Sequence, residues 1–151
     1  RDIVSTYIYP NTLKTLCVTR AQLKCALERS AEYFAIDADG KLKVSESFLA
    51  PIEQHFNYDY FSGIEAAFDI RRSVGDRVVS IKYKGEDLSG DKLLTLCMNN
   101  YRASGAGGYD IYRQCQTVRE LPTEIAELII AYVDKHRNIT VDKHKWLNVI
   151  Y

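Results

Sequence analysis

The residues best suited to chemistry in this chain form one uninterrupted run, Asn99-Asn100-Tyr101-Arg102-Ala103-Ser104-Gly105-Ala106-Gly107-Gly108-Tyr109. Glycine lets a backbone turn sharply and approach another group closely. A tyrosine at each end supplies a flat face on which a base can stack. Together these types point to a small planar ligand, although a tight turn beside a buried tyrosine would need the same residues. The run is not a Walker loop, because no Lys-Ser/Thr follows the glycines. It is not a dinucleotide fingerprint either, because Asp110-Ile111-Tyr112 does not announce a helix.

A second aromatic run, Asn57-Tyr58-Asp59-Tyr60-Phe61-Ser62-Gly63, reads as a core-lining segment or as another binding wall. Asp59, Asp110 and His55 are the acid/base candidates, and none has a partner at a spacing that marks a nucleophile, a base or a metal pair. Cys17, Cys25, Cys97 and Cys115 show no close-pair spacing, and His55, His136 and His144 do not complete a zinc set. Asp37-Ala38-Asp39-Gly40 lacks the later ligands of a calcium loop and reads as a turn. Asn138-Ile139-Thr140 fits a glycosylation sequon, a triplet that is common by chance.

The elements that position these residues follow from periodicity. Ile3–Tyr9 is expected to be extended and to stop at Pro10-Asn11. Leu13–Val18 is expected as a strand. Thr19 and Gln22 form a T-x-x-Q capping box; Leu23, Ala26, Leu27, Ala31 and Phe34 then recur at helical spacing, so a helix is expected to about Phe34. Residues 41–56 allow a short strand and a helical turn near Pro51. Alternation predicts strands over Ile64–Ile70 and Arg77–Tyr83, a turn at Lys84–Asp87, and a strand from Lys92 to Met98. A second helix is expected over about Pro122–His136, with Pro122, Glu124 and Glu127 at its start and Lys135, His136 and Arg137 at its end. Thr140–Ile150 should finish extended. The sum is a single α+β domain with mixed sheets and packed helices.

Composition narrows the partners. Twenty basic and twenty acidic side chains cancel, so no overall field draws the chain to a nucleic-acid polymer or an anionic membrane. No apolar run approaches the ~20 residues of a membrane helix. Tyrosine is unusually frequent, 11 of 151 residues, and it carries both ring area and an orienting hydroxyl. The chain begins at Arg1 without a Met, which is the pattern expected of a processed or excised piece.

Five segments in order resemble the C-terminal domain of the 5′-nucleotidase family, nearest its 2′,3′-cyclic-nucleotide 2′-phosphodiesterase/3′-nucleotidase branch. They are Tyr9-Pro10-Asn11-Thr12-Leu13, Leu27-Glu28-Arg29-Ser30-Ala31, Asn57 to Ile64, Gly75-Asp76-Arg77-Val78 and Asn99-Asn100-Tyr101-Arg102-Ala103. The resemblance implies a substrate-binding domain that sandwiches a nucleobase between two aromatic rings. A separate N-terminal metallophosphoesterase domain, in cis, would hold two divalent metal ions that activate the attacking water. It also implies an extracytoplasmic bacterial enzyme of nucleotide catabolism.

By motif match Tyr101 is one stacking ring, and Tyr9 is the candidate for the other. The substrate-binding set expected from the resemblance is Tyr9, Tyr101, Asn100, Gly105, Gly107, Gly108 and Asp110. Many relatives carry Gly-Gly-Asp-Gly in the loop, with the acid on the ribose hydroxyls; here the run is Gly105-Ala106-Gly107-Gly108, and Asp110 is the candidate substitute. The family's metal-ligand motifs and its Asn-Gly-Gly-Gly-type segment are absent, so no metal or other cofactor is expected on this chain, and the chain alone is expected to be inactive. The alternative is a non-catalytic nucleoside-binding or interaction module that keeps the fold. A self-contained hydrolase using Asp59 and His55 is a third reading.

Overall fold

The computed structural model describes Ser5 and residues 7–151. Its centre is a helix, α1 (Arg20–Ala31), laid between two sheets. The helix starts where the capping box places it: Thr19 Oγ1 accepts from Gln22 N–H at 3.2 Å, and Gln22 Oε1 accepts from Thr19 N–H at 2.9 Å. It buries Leu23, Ala26, Leu27 and Ala31, with each leucine contributing roughly 1.5–3 kcal/mol. The helix ends three residues short of Phe34, which instead opens strand β2 (Phe34–Ile36). Arg77 stabilises that end, because its Nη1 donates to Ala31 O at 3.0 Å and Phe34 O at 2.7 Å.

The first sheet pairs β1 (Thr12–Val18) with β7 (Leu94–Asn99) on one side and β8 (Gln116–Glu124) on the other, both antiparallel. Leu16 and Val18 turn inward and are buried, as the alternation requires. The second sheet runs β6 (Glu86–Asp87), β5 (Val78–Tyr83), β4 (Glu65–Asp69) and β9 (Leu147–Ile150). Its pairs are antiparallel except β4 with β9, which is parallel. Glu28 links helix to sheet: its carboxylate accepts from Arg77 N–H and Val78 N–H, each at 2.9 Å. A small hairpin, β2 with β3 (Leu42–Val44), lies apart from both sheets. Its Asp37–Gly40 connection is a plain turn, with Asp37 Oδ1 accepting from Asp39 and Lys41 N–H.

The α+β class stands, with several elements placed differently from the sequence reading, among them the end of α1 and the strand β6 inside the turn expected at Lys84–Asp87. The last helix, α3 (Ile125–His136), begins at Ile125 rather than Pro122. The residues before it, Gln116–Glu124, form strand β8, which periodicity did not predict. Most of β8 is solvent-exposed, so no apolar alternation marks it. Pro122 is tolerated because the pairing jumps from Leu13↔Leu121 to Thr12↔Glu124, which leaves it in an edge-strand bulge. The extended segment expected at Ile3–Tyr9 falls partly outside the described residues, and Tyr7–Pro10 carry no regular structure. Of the extended tail, only Leu147–Ile150 pairs as a strand. No described helix is long and apolar enough to cross a membrane.

Candidate functional site

Strand β7 delivers the glycine run to the end of its sheet. Asn99 caps a one-turn helix, α2 (Asn100–Ala103), its Oδ1 accepting from Arg102 N–H at 2.6 Å. Asn100 Oδ1 accepts from Thr12 N–H at 3.1 Å, which ties the turn to the start of β1. Tyr101 therefore sits on a fixed turn with its ring half exposed, at 49%. Tyr9 precedes β1 at the same end of the sheet and is also exposed.

Below Tyr101 the loop is held by three arginines from three elements. Arg29 of α1 donates from Nε to Gly107 O at 3.0 Å, and Arg113 donates from Nε to Ser104 O at 2.9 Å. Arg102 donates from Nη1 to Ala106 O. Gly107 and Gly108 have φ of +75° and +88°. A Cβ on Gly107 would overlap Arg102 Nη1 and Asn57 Oδ1, and one on Gly108 would lie 2.5 Å from Arg29 Nε. On the faces where a Cβ would project, the close approach these glycines permit is to the protein's own arginines.

Arg102 is the hub. Its side chain is 7% exposed, and its Nε lies 2.7 Å from Asp59 Oδ2; this contact is an ion pair rather than an aligned hydrogen bond. Its Nη2 donates to Phe56 O at 3.0 Å, and the guanidinium lies over the Tyr109 ring, 4.5 Å from the centroid. Tyr109 is buried and stacks on Tyr112 at 5.7 Å. The Tyr109 hydroxyl accepts from Asp59 N–H at 3.1 Å and shares a 2.8 Å hydrogen bond with Ser30 Oγ. Helix α1, the glycine loop and the Asn57–Gly63 run thus meet at one tyrosine.

Burial raises the Asp59 carboxyl above its ordinary value, and Arg102 opposes the rise. Burial likewise raises the Tyr109 and Tyr112 hydroxyls, and pushes Tyr58 up to about 12. All three phenols are neutral hydrogen-bonding groups at neutral pH.

Beside this hub opens a cleft of about 470 Å³ between residues 58–62 and residues 95–99 of β7, with Arg102 and Tyr112 completing its lining. The second aromatic run is therefore a wall of the cleft. The seven expected substrate-binding residues, Tyr9, Tyr101, Asn100, Gly105, Gly107, Gly108 and Asp110, lie around the hub and its sheet end rather than in that lining, whereas Asn99 and Arg102 of the same motif do line it. Asp110 is exposed and faces Arg113 at 3.4 Å. His55 shares a 2.8 Å hydrogen bond with Tyr33, while Asp59 faces Arg102, so the two are engaged apart. Among the described residues no three His, Cys, Asp or Glu side chains converge to hold a metal ion. Sequence reasoning missed the three arginines, because no spacing marks a side chain that crosses the fold to a carbonyl.

A family model for the 5′-nucleotidase C-terminal domain matches residues 1–114. The chain belongs to this family. A 5′-nucleotidase C-terminal fold of this kind occurs in a Staphylococcus aureus protein assigned as a 5′-nucleotidase, whose crystal structure superposes with a TM-score of 0.91 at 37% identity. That match covers 99% of this chain and 29% of the other. A 2′,3′-cyclic-nucleotide 2′-phosphodiesterase/3′-nucleotidase of Haemophilus influenzae is 29% identical over 122 residues, 70% of this chain and 18% of its own length. A trifunctional nucleotide phosphoesterase of Bacillus subtilis is 22% identical over 92% of this chain and 10% of its own. The chain thus spans less than a third of each of these relatives.

Proposed function

We propose that this chain is the substrate-binding domain of a metal-dependent nucleotidase or 2′,3′-cyclic-nucleotide 2′-phosphodiesterase. The nucleobase stacks on Tyr101, with Tyr9 as the opposing ring, and the nucleoside extends toward the cleft that Asn99 and Arg102 help to line. A di-metal phosphoesterase domain in cis carries out the hydrolysis, and the chain by itself turns nothing over. The full-length protein works outside the cytoplasm, in the manner implied by its family.

The observation that carries this reading is a half-exposed tyrosine on a rigid turn beside an aromatic-walled cleft. A ring carried on a fixed backbone turn has less freedom to lose when a base covers it, and three arginine-to-carbonyl contacts hold the loop that follows that turn. An amide NMR titration of the chain with adenosine and 3′-AMP tests it. Shifts converging on Tyr9, Asn99–Asp110 and residues 58–62 are expected, and their absence at millimolar ligand refutes the base site. The alternative, a non-catalytic nucleoside-binding or interaction module, draws support from the absence of an acid within Gly105–Gly108. It is excluded if the full-length protein hydrolyses nucleoside 3′-monophosphates and Tyr101→Ala raises the KM.

A further inference from the structure

The two long walls of the cleft are each a consecutive run, residues 58–62 on one side and residues 95–99 on the other. In a strand, successive side chains point to opposite faces. A cleft on one face of the first sheet would therefore be lined by every second residue of β7. Here Leu96 and Met98, which pack against the core, line it together with Thr95, Cys97 and Asn99 from the opposite face. The cleft thus runs along the free edge of β7, the side away from β1.

Main-chain groups face each other across it. Beyond the ladder with β1, the backbone of Leu94–Met98 makes no hydrogen bond among the described residues. Every second residue there turns an unpaired N–H and C=O outward. On the far wall the backbone of Tyr60, Phe61 and Ser62 is likewise without a hydrogen bond among the described residues. A strand residue in a packed sheet takes up about 160 Å³, from its rise and the strand and sheet spacings, so a cleft of about 470 Å³ holds about three of them.

The two edges of this sheet are built differently. Strand β8 carries Arg119, Glu120 and Pro122 and shifts register twice against β1, and such devices keep other strands from adding to an edge. Strand β7 reads Leu-Thr-Leu-Cys-Met-Asn, with no charge, no proline and an unbroken register. Its edge is open to pairing. The size of the cleft says what can use it. About three paired residues give a free peptide little affinity, whereas a tethered segment meets the edge at an effective concentration of about millimolar. The chain spans less than a third of each relative it matches, so proteins of this kind carry ample further chain tethered to the same domain.

We propose that an extended segment of the same polypeptide, from outside these 151 residues, adds to the free edge of β7 as a further strand of the first sheet. Apolar residues at alternate positions of that segment seat on Leu96, Met98 and Phe61, which are only partly buried. Tyr101 lies outside the cleft lining, so the added strand leaves its ring open. A nucleoside stacked there extends toward the end of the strand, but the strand pairing does not depend on the base site.

Residue-resolved amide hydrogen exchange on the full-length protein tests this. The β7 amides that face β1 are protected by the existing ladder. Those that face the cleft should be protected as well, exchanging on the order of hundredfold or more slower than open-edge amides. Strand β8 is the internal reference, because its outward amides should exchange freely and give an alternating pattern. The same alternation along β7 would overturn the proposal. Amide NOEs from Thr95–Met98 to alternate residues of one run outside these 151 are expected too. Protection without those NOEs would mean that another surface merely covers the edge, which overturns the added strand. Sedimentation velocity on the same sample separates the occupants. Protection in a monomer is the expected result, and protection found only in an oligomer assigns the edge to a second copy and overturns the proposal.

Discussion

Replacing Gly107 by alanine should be among the costliest single-methyl changes in this chain. The residue sits at φ +75°, where an L side chain costs about 1–2 kcal/mol. The added carbon would also overlap Arg102 Nη1 and Asn57 Oδ1. An arginine tip can usually swing away, but this one is 7% exposed and fixed by Asp59, Ala106 O and Phe56 O. Moving it forfeits at least one hydrogen bond from a charged group, about 1.5–3 kcal/mol. The total is then about 2.5–5 kcal/mol. With a urea m-value of about 2 kcal/mol/M, the unfolding midpoint should fall by about 1–2.5 M.

Gly105→Ala is the control. Its φ is +89°, and its Cβ meets only Arg113, whose side chain is 66% exposed and can yield at the expense of its hydrogen bond to Ser104 O. It should cost the backbone penalty plus about 0.5 kcal/mol for that exposed hydrogen bond, a midpoint shift of about 0.5–1.2 M. Urea unfolding followed by tryptophan fluorescence and far-UV circular dichroism reads both variants. Equal midpoints for the two would refute the claim that the arginines, rather than backbone conformation, impose glycine at position 107. A cost for Gly107→Ala that persists undiminished in an Arg102→Ala background would refute it as well.

Tyr101→Ala should leave the free energy of urea unfolding within about 0.5 kcal/mol of wild type, since the residue is half exposed. It should weaken adenosine binding by the roughly 1–3 kcal/mol of a lost stacking face, read by NMR titration. Glu28→Gln should cost about 2–3 kcal/mol in urea unfolding, because an amide offers one acceptor where the carboxylate serves both Arg77 and Val78 N–H. Asp69 is held at about 2 by its hydrogen bonds to Arg71. Its contribution is therefore present above the ordinary carboxylate pKa and is lost as pH falls toward 2, and acid titration of Asp69→Asn should lack that component. Asp59 has the opposite sign: its folded pKa is raised, so stability falls as pH rises from the ordinary carboxylate pKa through the raised one. Urea midpoints measured across that window should lose this slope in Asp59→Asn.

What could be read from the residues in advance follows a physical division. Local rules were legible: the Thr19–Gln22 box started α1, the Asp37 turn formed from its own side chain, and alternation marked β1, β4, β5 and β7. Strand β8 was not legible, because its stability comes from pairing with β1 rather than from an apolar face, and Pro122 argued against it until the bulge was seen. At the site, the motif placed Tyr101 on its turn. The Arg29, Arg102 and Arg113 contacts with loop carbonyls were invisible, since each joins residues whose proximity only the fold creates. Asp59 stood out in sequence as an acid, but its arginine partner did not.

The parallel pairing of β4 with β9 has a consequence during synthesis. Strand β4 ends at Asp69, and its neighbour begins at Leu147. At ~5–20 residues per second, the roughly 80 residues between them take on the order of 4–16 s to emerge. For that interval one side of β4 is an unpaired edge, open to any other extended chain. Antiparallel β5 and β6 cover only the other side. The second sheet thus stays unfinished on the ribosome while most of the domain is already made, and the nascent chain should depend on chaperones for longest at β4.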